Sequence, residues 1–390
     1  MEIRYTSKAL PEQGLYFSGI PFLINQKMQL VDVVNQYWRE EIIHNASWES
    51  KKTWRSYAER LCDFFAYLED NQLDWQKVDK HITGQYRCYL QTQGVRGKPL
   101  HPNTIYDRIR CIDAFYKWAL NEKLIDELPF SYRNVRRQRG YLFQTSTRTF
   151  ETLQNRAAPK RKTKIARIPT REEIGAWCQH LPTWRDKLIA WLIIESGLRR
   201  EEAVYLNPQV LPYPNQKNSQ THQTLSIALD PAMTPTKGSK HRTIEITYPL
   251  FLKLHQYRFS ESRLRLSKRY VKCHGEEPKV LFLSRNAEPM ALSRLDKAFQ
   301  VASCSSGIAI YPHLLRKTFA THTLLFRKEA LGGETATRLW LMARMGHASF
   351  ETTQLYVELG QALSRREVST MDHYQLYLSK LMEDATHECD

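Results

Sequence analysis

Two segments in the first third of the chain carry apolar residues at the 3.6-residue period of an amphipathic helix. The first stripe consists of Tyr57, Leu61, Phe64, Phe65 and Leu68. The second consists of Ile105, Ile109, Ile112, Tyr116 and Ala119, with Asn103 and Thr104 as candidate caps. Lysine and arginine occupy the polar sides. The pattern predicts a small helical domain with basic faces over residues 49–130. Residues 1–48 are interpreted as an added N-terminal arm with a helix around Val31–Ile43.

The later part of the chain mixes helical and strand patterns. Helical periodicity predicts helices at Thr170–His180 and Trp184–Glu195. Alternating apolar and polar residues predict strands at Leu225–Leu229 and Arg242–Thr247, joined by a turn at Thr236–Lys240. Helical patterns dominate from residue 248 onward. The whole chain is therefore predicted to be mainly α with a small antiparallel β-sheet.

Length and composition narrow the class of protein. A chain of 390 residues suggests two or three domains, and 42% hydrophobic residues with 11% aromatic residues indicate a globular protein. No apolar run approaches the roughly 18 residues of a membrane span, and the start lacks the layout of a signal peptide. These features favour a cytoplasmic protein over a membrane or secreted one. Seven cysteines without a CxxC pair fit reduced thiols better than disulfides or structural zinc.

The charge is unevenly distributed. Fifty-seven Lys plus Arg against 41 Asp plus Glu give a net charge of +16, and such an excess is typical of proteins that bind nucleic acid. Residues 131–168 contain eleven basic residues and one acid, Glu151, and are interpreted as a basic interdomain linker. A solvated linker that only aids solubility would carry the same charge. Residues 367–390 form an acidic C-terminal tail with six acids and one lysine.

Several catalytic motifs are missing from the sequence. We find no GxxxxGK[ST] loop, no GxSxG elbow, no HExxH and no metal-spaced Cys/His cluster. Three other segments stand out together: ESGLRREE at Glu195–Glu202, PHLLRKTFAT at Pro312–Thr321 and MGHASFETTQLY at Met345–Tyr356. Each segment alone is a weak signal, because His and Arg three residues apart usually just share a helix face. Their joint occurrence is not expected by chance.

The three segments resemble the signature boxes of the tyrosine recombinase (phage integrase) family, in the family's order and spacing. The lysine turn Thr236–Lys240 resembles that family as well. The likeness covers roughly residues 165–365, and residues 49–130 resemble the family's core-binding domain. It implies a helical core-binding domain and a mixed α/β catalytic domain, residues 169–366, that form a clamp on DNA. The family's activity is site-specific strand exchange through a 3′-phosphotyrosyl intermediate.

The resemblance assigns roles that the chemistry explains. Attack on a phosphodiester gathers negative charge on the non-bridging oxygens, which two guanidiniums stabilise at any working pH, here Arg199 and Arg316. The nucleophile is the phenol of Tyr356, assisted by His313 and His347. Lys237 is the candidate general acid for the leaving 5′-oxygen, with Lys240 as its rival in the same turn. Two positions depart from the family pattern: Lys317 replaces a common His, and Glu201 a common Ser.

The resemblance also implies the partners. We expect double-stranded DNA at specific recombination sites and a homo-tetramer on two duplexes, with a dimer at each site. Accessory DNA-bending proteins or a partner recombinase are compatible with this picture. Neither a cofactor nor a metal ion is expected. Three alternatives remain: a topoisomerase-like relaxing enzyme, a catalytically inactive DNA-binding protein, and a metal-dependent transposase.

Overall fold

The computed structural model divides the chain into two compact units, with the boundary between Lys164 and Ile165. It describes residues 1–7, 10–12, 15–44, 50–94, 97–139, 148–161, 167–214, 224–236, 238–326 and 332–346. In those ranges, none of the helices combines the length and the apolar character that crossing a membrane requires. The architecture is mainly helical with small two-stranded antiparallel sheets, as predicted.

The first unit combines helices with three strand pairs. Its helices are α1 (Asp32–Arg39), α2 (Lys51–Asp70), α3 (Lys80–Thr92) and α4 (Pro102–Asn121). Its strands are β1 (Glu2–Tyr5), β2 (Leu10–Glu12), β3 (Leu15–Phe17), β4 (Pro21–Ile24), β5 (Tyr132–Arg139) and β6 (Arg148–Asn155). The pairs are β1 with β4, β2 with β3 and β5 with β6.

The two apolar stripes form the centre of this unit. Leu61 and Phe64 on α2 and Ile105 and Ile109 on α4 are completely buried, which confirms both amphipathic helices. The start of α4 differs from the prediction. The helix begins at Pro102, and the His101 side chain accepts a hydrogen bond from the backbone N–H of Asn103. Proline fits the first helical position because its missing N–H would have no partner there.

The N-terminal residues do not form a separate arm. Tyr37 and Trp38 on α1 are buried in the same core as α2 and α4, and the Tyr37 ring meets the Phe115 ring edge-on at 5.4 Å. Leu23 on β4 also joins this core. The prediction of an arm is wrong because the short strands and the single helix of this segment carry too few apolar repeats to indicate a shared core.

The basic linker contains a hairpin formed by β5 and β6. The two strands pair antiparallel over eight residues, from Tyr132 opposite Asn155 to Arg139 opposite Arg148. The base of the hairpin is bound to α4 through Asp113, whose carboxylate accepts hydrogen bonds from Tyr132 Oη at 2.5 Å and Asn155 Nδ2 at 3.0 Å. We call this hairpin the ribbon. It escaped prediction because four of the eight residues of β5 are arginines, so that alternation of apolar and polar residues is missing.

The second unit is built around α6, a helix that is buried over most of its length. Its helices are α5 (Arg171–Gln179), α6 (Trp184–Ser196), α7 (Arg200–Val204), α8 (Tyr248–Arg258), α9 (Glu261–His274), α10 (Leu292–Ser306), α11 (Pro312–Phe326) and α12 (Glu334–Met345). Its strands β7 (Thr224–Leu229) and β8 (Arg242–Thr247) pair antiparallel. The predictions for α5, α6 and the two strands are confirmed. Every residue of α6 from Asp186 to Ser196 is buried.

Candidate active site

The turn after α6 positions Arg199. Gly197 ends the helix in the left-handed conformation, with φ of 65°, and a Cβ there would lie 2.3 Å from Cδ1 of Phe319. Glycine is therefore required at this position, because a side chain would strain the left-handed backbone and would collide with Phe319 of α11. The chain then turns into α7, and Arg199 stands directly before its first residue. The first two signature segments are thus in contact.

Arg316 joins the ends of two helices. Its side chain leaves α11, is almost completely buried, and donates one hydrogen bond to the carbonyl oxygen of Gly197. Its other terminal nitrogen donates to the carbonyl oxygen of Met345 at 2.6 Å. Carbonyl groups at the end of a helix have no partner within the helix, so a buried guanidinium satisfies them and is satisfied in return.

Arg199 approaches the same end of α12. Its Nη2 donates to the carbonyl oxygen of Gly346 at 3.2 Å, and its Nη1 lies 3.1 Å from Glu202 Oε1. The Arg199 backbone N–H also donates to Glu202 Oε2 at 2.7 Å. The Arg199 side chain is 26% exposed, so a ligand can reach it although protein groups fix its position.

A third arginine, Arg242, belongs to this site and is not predicted from the sequence. It opens β8, forms an ion pair with Glu202 and donates to the carbonyl oxygen of Met345 at 3.5 Å. Burial raises the pKa of the Glu202 carboxyl, but Arg242, Arg199 and the Arg199 backbone N–H outweigh it, so the pKa lies below its usual range. Glu202 is therefore ionised at neutral pH. No sequence signal distinguishes Arg242 from a surface cation at a strand start.

Gly346 gives the arginines access to the end of α12. It adopts φ of 61°, and a Cβ at this position would lie 3.1 Å from Nη1 of Arg242 and 3.8 Å from Nη1 of Arg199. The three guanidiniums meet the negative end of the α12 dipole, which favours cations there. We call this arrangement of Arg199, Arg242 and Arg316 at the end of α12 the arginine pocket.

His313 lies in the first turn of α11, on the same helix as Arg316, and is exposed. Desolvation, followed by the positive charges of Lys317, Arg316 and Arg199, lowers the pKa of its imidazole below the ordinary value. His313 is therefore neutral at physiological pH. A neutral imidazole can accept a proton or a hydrogen bond, which is the capacity a general base needs.

Of the remaining predicted site residues, the structure describes Lys240 and does not describe the other three. Lys240 is exposed at the turn between β7 and β8, which the Thr236 hydroxyl closes by donating to the Lys240 carbonyl at 3.0 Å. Lys237, His347 and Tyr356 lie outside the described residues. His347 follows Gly346 directly in the chain. Within the described part of the chain, no group of three or more His, Cys, Asp or Glu side chains is arranged to bind a metal ion.

The arginine pocket suits an anion with several oxygens. Its three cations face one carboxylate, Glu202, and a set of backbone carbonyls, so positive charge remains in excess. Guanidiniums donate paired hydrogen bonds to phosphate or carboxylate oxygens and remain charged at any working pH. Groups whose positions are fixed before a ligand arrives stabilise developing charge without reorganisation.

Two family models match the chain, and together they cover about three quarters of it. Residues 33–136 match the phage integrase SAM-like domain, and residues 170–362 match the phage integrase family. Among curated relatives, tyrosine recombinase XerC of Bacillus subtilis (strain 168) is 22% identical over 316 residues, covering 74% of this chain and 86% of the relative. Tyrosine recombinase XerC of Bacillus pumilus (strain SAFR-032) is 23% identical over 363 residues, covering 90% and 98%.

Solved structures with a similar fold include two complexes with DNA. XerH site-specific recombinase bound to a palindromic difH substrate, in a post-cleavage complex, has a TM-score of 0.54 at 17% identity, covering 86% of both chains. A lambda integrase (75-356) dimer bound to a COC′ core site has a TM-score of 0.52 at 14% identity, covering 88% of this chain and 99% of that one. At these identities the likeness shows the fold.

Proposed function

The chain belongs to the phage integrase family and is a tyrosine-type site-specific DNA recombinase, and from this premise we propose how it cuts and rejoins DNA. Tyr356 attacks the phosphodiester and forms a 3′-phosphotyrosyl bond, without ATP or a metal ion. Because that bond preserves the energy of the phosphodiester, a second attack by a DNA 5′-hydroxyl can reseal the strand.

The observation that carries this proposal is the convergence of Arg199 and Arg316 on the end of α12, next to the position where the chain continues to His347. The two guanidiniums come from segments 117 residues apart and contact adjacent carbonyl groups. A phosphate that binds there meets fixed hydrogen-bond donors for both non-bridging oxygens. Surface ion pairs would not require such burial of Arg316.

Each step balances in protons. The Tyr356 phenol bonds to phosphorus as its proton passes to a neutral imidazole, and His313 is the described candidate with a lowered pKa. His347 assists by donating a hydrogen bond to the phosphate. The bond from phosphorus to the 5′-oxygen breaks, and Lys237 supplies the proton that this oxygen needs. In rejoining, the same groups act in reverse.

The substrate and assembly follow from the same premise. We propose that the substrate is duplex DNA with specific recombination sites and that a dimer occupies each site, with four protomers on two duplexes during exchange. The lambda integrase dimer on a core site supports a dimer at each site, and XerH bound to difH supports DNA as the substrate; both are proteins of similar fold.

The decisive experiment tests Tyr356. Nicked duplexes selected from a randomised pool for binding to the wild-type protein are incubated with it in EDTA and without ATP, and SDS-resistant adducts are measured. The wild-type protein should form an adduct, and Tyr356→Phe should form none while it binds the duplex with unchanged affinity. Tyr311→Phe is the matched control, because Tyr311 is exposed on the same unit and should keep the adduct. An adduct in Tyr356→Phe would exclude this nucleophile.

A further inference from the structure

The second unit contains a cavity at a place where three helices begin. Its volume is about 460 Å³, and residues from the first turns of α6, α9 and α10 line it. These residues are Trp184 and Arg185 of α6, Ser262 of α9 and Arg294 of α10. Thr183, Tyr257, Leu266 and residues 283–286 form the rest of the wall. The beginning of a helix carries partial positive charge, so three such ends around one cavity favour an anion.

The first turn of α10 differs from those of α6 and α9 in having no side-chain cap. Thr183 and Ser260 accept hydrogen bonds from backbone N–H groups of α6 and α9, whereas Ala291, at the corresponding position of α10, has no side-chain acceptor. Arg294 adds a positive charge at the positive end of the α10 dipole, which is unfavourable. A bound anion would accept from the N–H groups of this turn and would offset the charge.

The guanidiniums of this cavity leave positive charge in excess. Arg185 forms an ion pair with the buried Asp186 at 3.3 Å and donates to the carbonyl oxygen of Leu283 at 2.6 Å. Arg285 and Arg294 have no ion pair within the described residues, and none of the residues that line the cavity is an acid. Two positive charges therefore lack a counterion. A phosphate monoester, with a charge of about −1.5 to −2 at pH 7, matches them.

Tyr257 contributes a hydrogen-bond donor to the wall of the cavity. Its side chain is 6% exposed, and its hydroxyl has no hydrogen-bond partner in the part of the chain that the structure describes. Burial raises the pKa of this phenol, although the charges of Arg185 and Arg263 act in the opposite direction. The hydroxyl is therefore protonated at neutral pH and can donate. Because polar groups buried this deeply normally have a partner, the unpaired hydroxyl indicates a ligand oxygen here.

The other side of the wall is apolar and includes an aromatic pair. The rings of Trp184 and Tyr257 meet edge-on, with their centroids 5.5 Å apart. Leu266 and Leu283 extend this surface. An inorganic anion makes no use of such a surface, whereas a flat organic ring packs against it. The volume of the cavity lies within the range of roughly 300–1,000 Å³ that is typical of pockets for small ligands.

We propose that this cavity binds a free nucleoside monophosphate. The phosphate contacts Arg285, Arg294 and the first turn of α10, Tyr257 donates to a ligand oxygen, and the base packs against Trp184. The 13 residues of α6 span about 20 Å, which separates the cavity at its beginning from the turn with Arg199 at its end. The site is therefore distinct from the arginine pocket, and the proposal does not depend on the proposed cleavage of DNA.

Equilibrium dialysis of the full-length protein against each of the four radiolabelled ribonucleoside 5′-monophosphates measures the binding. At least one nucleotide should bind about tenfold more tightly than both inorganic phosphate and its own nucleoside, because each of these lacks one set of contacts. Binding of inorganic phosphate as tight as that of every nucleotide would mean a simple anion site and would overturn the proposal. Binding of none of the four nucleotides would overturn it as well.

Variants of the lining residues locate the nucleotide. Arg294→Gln and, at an exposed position, Arg285→Gln should each weaken its binding by about 10- to 100-fold, as expected for the loss of a charged partner. Tyr257→Phe removes a single neutral donor and should weaken binding by about 3- to 10-fold. Lys272→Gln is the matched control, because it removes the same charge from an exposed position of α9 that does not line the cavity. Equal losses for Lys272→Gln and the arginine variants would mean that only net charge matters, against the proposal.

Two further measurements separate this cavity from the arginine pocket. Arg199→Ala should bind the nucleotide with wild-type affinity, since Arg199 lies at the far end of α6. A loss in Arg199→Ala as large as that in Arg294→Gln would place the nucleotide in the arginine pocket and refute the proposed site. Without nucleotide, Arg294→Gln should form the Tyr356 adduct at the wild-type rate. Nucleotide binding is measured without DNA, so failure of the proposed cleavage mechanism would leave this test intact.

Discussion

The arginine pocket and a second cluster of cations differ in how their charges are satisfied. The second cluster, which we call the basic strip, consists of Arg87, Arg133, Arg156 and Lys160, which line a cavity of about 390 Å³ in the first unit. In the arginine pocket, Arg316 and Arg242 are buried and contact backbone carbonyls or Glu202. In the basic strip, Arg156 and Lys160 are exposed and no carboxylate faces them. The first set has charged or carbonyl partners within the fold, whereas Arg87, Arg156 and Lys160 of the second set have no ion pair within the described residues.

This difference predicts two kinds of contribution. Cations fixed by buried acceptors are already positioned when a ligand arrives, so they stabilise the transition state at no cost of reorganisation. Exposed cations exchange small counterions for phosphates, so their effect is seen as affinity that depends on salt. The arginine pocket should therefore control rate and stability, and the basic strip should control binding.

The largest effect expected in the second unit comes from the lysine turn. An alkoxide leaving group needs a proton as its bond breaks, whereas a thiolate, with a pKa near 8.5 for a typical thiol, leaves unaided. Lys237→Ala should slow cleavage of ordinary DNA by about 10²- to 10⁴-fold and recover much of that rate when sulfur replaces the scissile 5′-oxygen. The measurement is the rate of adduct formation on both substrates.

Two controls accompany this experiment. Arg199→Ala should slow cleavage without rescue by sulfur, because it acts on the non-bridging oxygens. Lys240→Ala should cleave both substrates at similar rates. Rescue of Lys240→Ala in place of Lys237→Ala would transfer the general acid role to Lys240. Rescue of neither lysine variant would mean that the turn binds DNA and that the proton comes from another group.

A stability measurement compares the two clusters directly. Arg242→Gln leaves Glu202 with one fewer partner at a site that is almost completely buried, and should lower the free energy of unfolding by about 3–5 kcal/mol. Arg156→Gln relieves repulsion at an exposed site and should change it by no more than about 0.5 kcal/mol. Urea unfolding without DNA measures both. Equal losses in the free energy of unfolding would contradict the difference in protein partners between the two clusters.

The smallest expected effect concerns a buried acid, Glu195, in the last turn of α6. Burial raises the pKa of Glu195 to about 7, although hydrogen bonds from Thr247 and Trp191 act in the opposite direction. Between pH 4.5 and about 7 the folded protein then binds a proton that the unfolded chain releases. The free energy of unfolding therefore falls as the pH rises through that window, by on the order of 1–3 kcal/mol.

Glu195→Gln removes this titration. Its free energy of unfolding should vary less between pH 4.5 and pH 7 than that of the wild-type protein, as measured by urea unfolding at several pH values. The basic strip contains no buried acid, so Arg156→Gln should keep the wild-type pH dependence. A Glu195→Gln profile parallel to the wild-type profile would mean that Glu195 is ionised throughout this range.

Periodic apolar patterns made most helices predictable. The stripes of α2 and α4 and the buried run of α6 give strong signals because packing demands apolar side chains at fixed spacing. The motif segments supplied Arg199 and Arg316, which the structure brings to adjacent carbonyls of one helix end. That juxtaposition depends on side chains with specific chemistry at specific positions, which is what a motif records.

The features that escaped prediction depend on pairing between distant polar residues. The ribbon has a register but no apolar alternation, so its strands resemble a charged linker in sequence. Arg242 owes its place to Glu202, which lies 40 residues away in the chain. Nothing in the sequence around either residue indicates that the two form an ion pair. The core shared by α1 and α4 likewise depends on the contact between Tyr37 and Phe115, which no local sequence pattern predicts.

The hydrogen bonds of the arginine pocket also bear on when the site comes into existence. Arg316 reaches Gly197 across 119 residues, and Arg199 reaches Gly346 across 147. Contacts of such high sequence separation form only after long loops have closed, so they develop late in folding. A nascent chain that has not reached Met345 has no acceptors for Arg316 and Arg242 at this end. The arginine pocket is thus assembled only when the chain through Gly346 has folded, so a chain that ends before this point lacks the anion site.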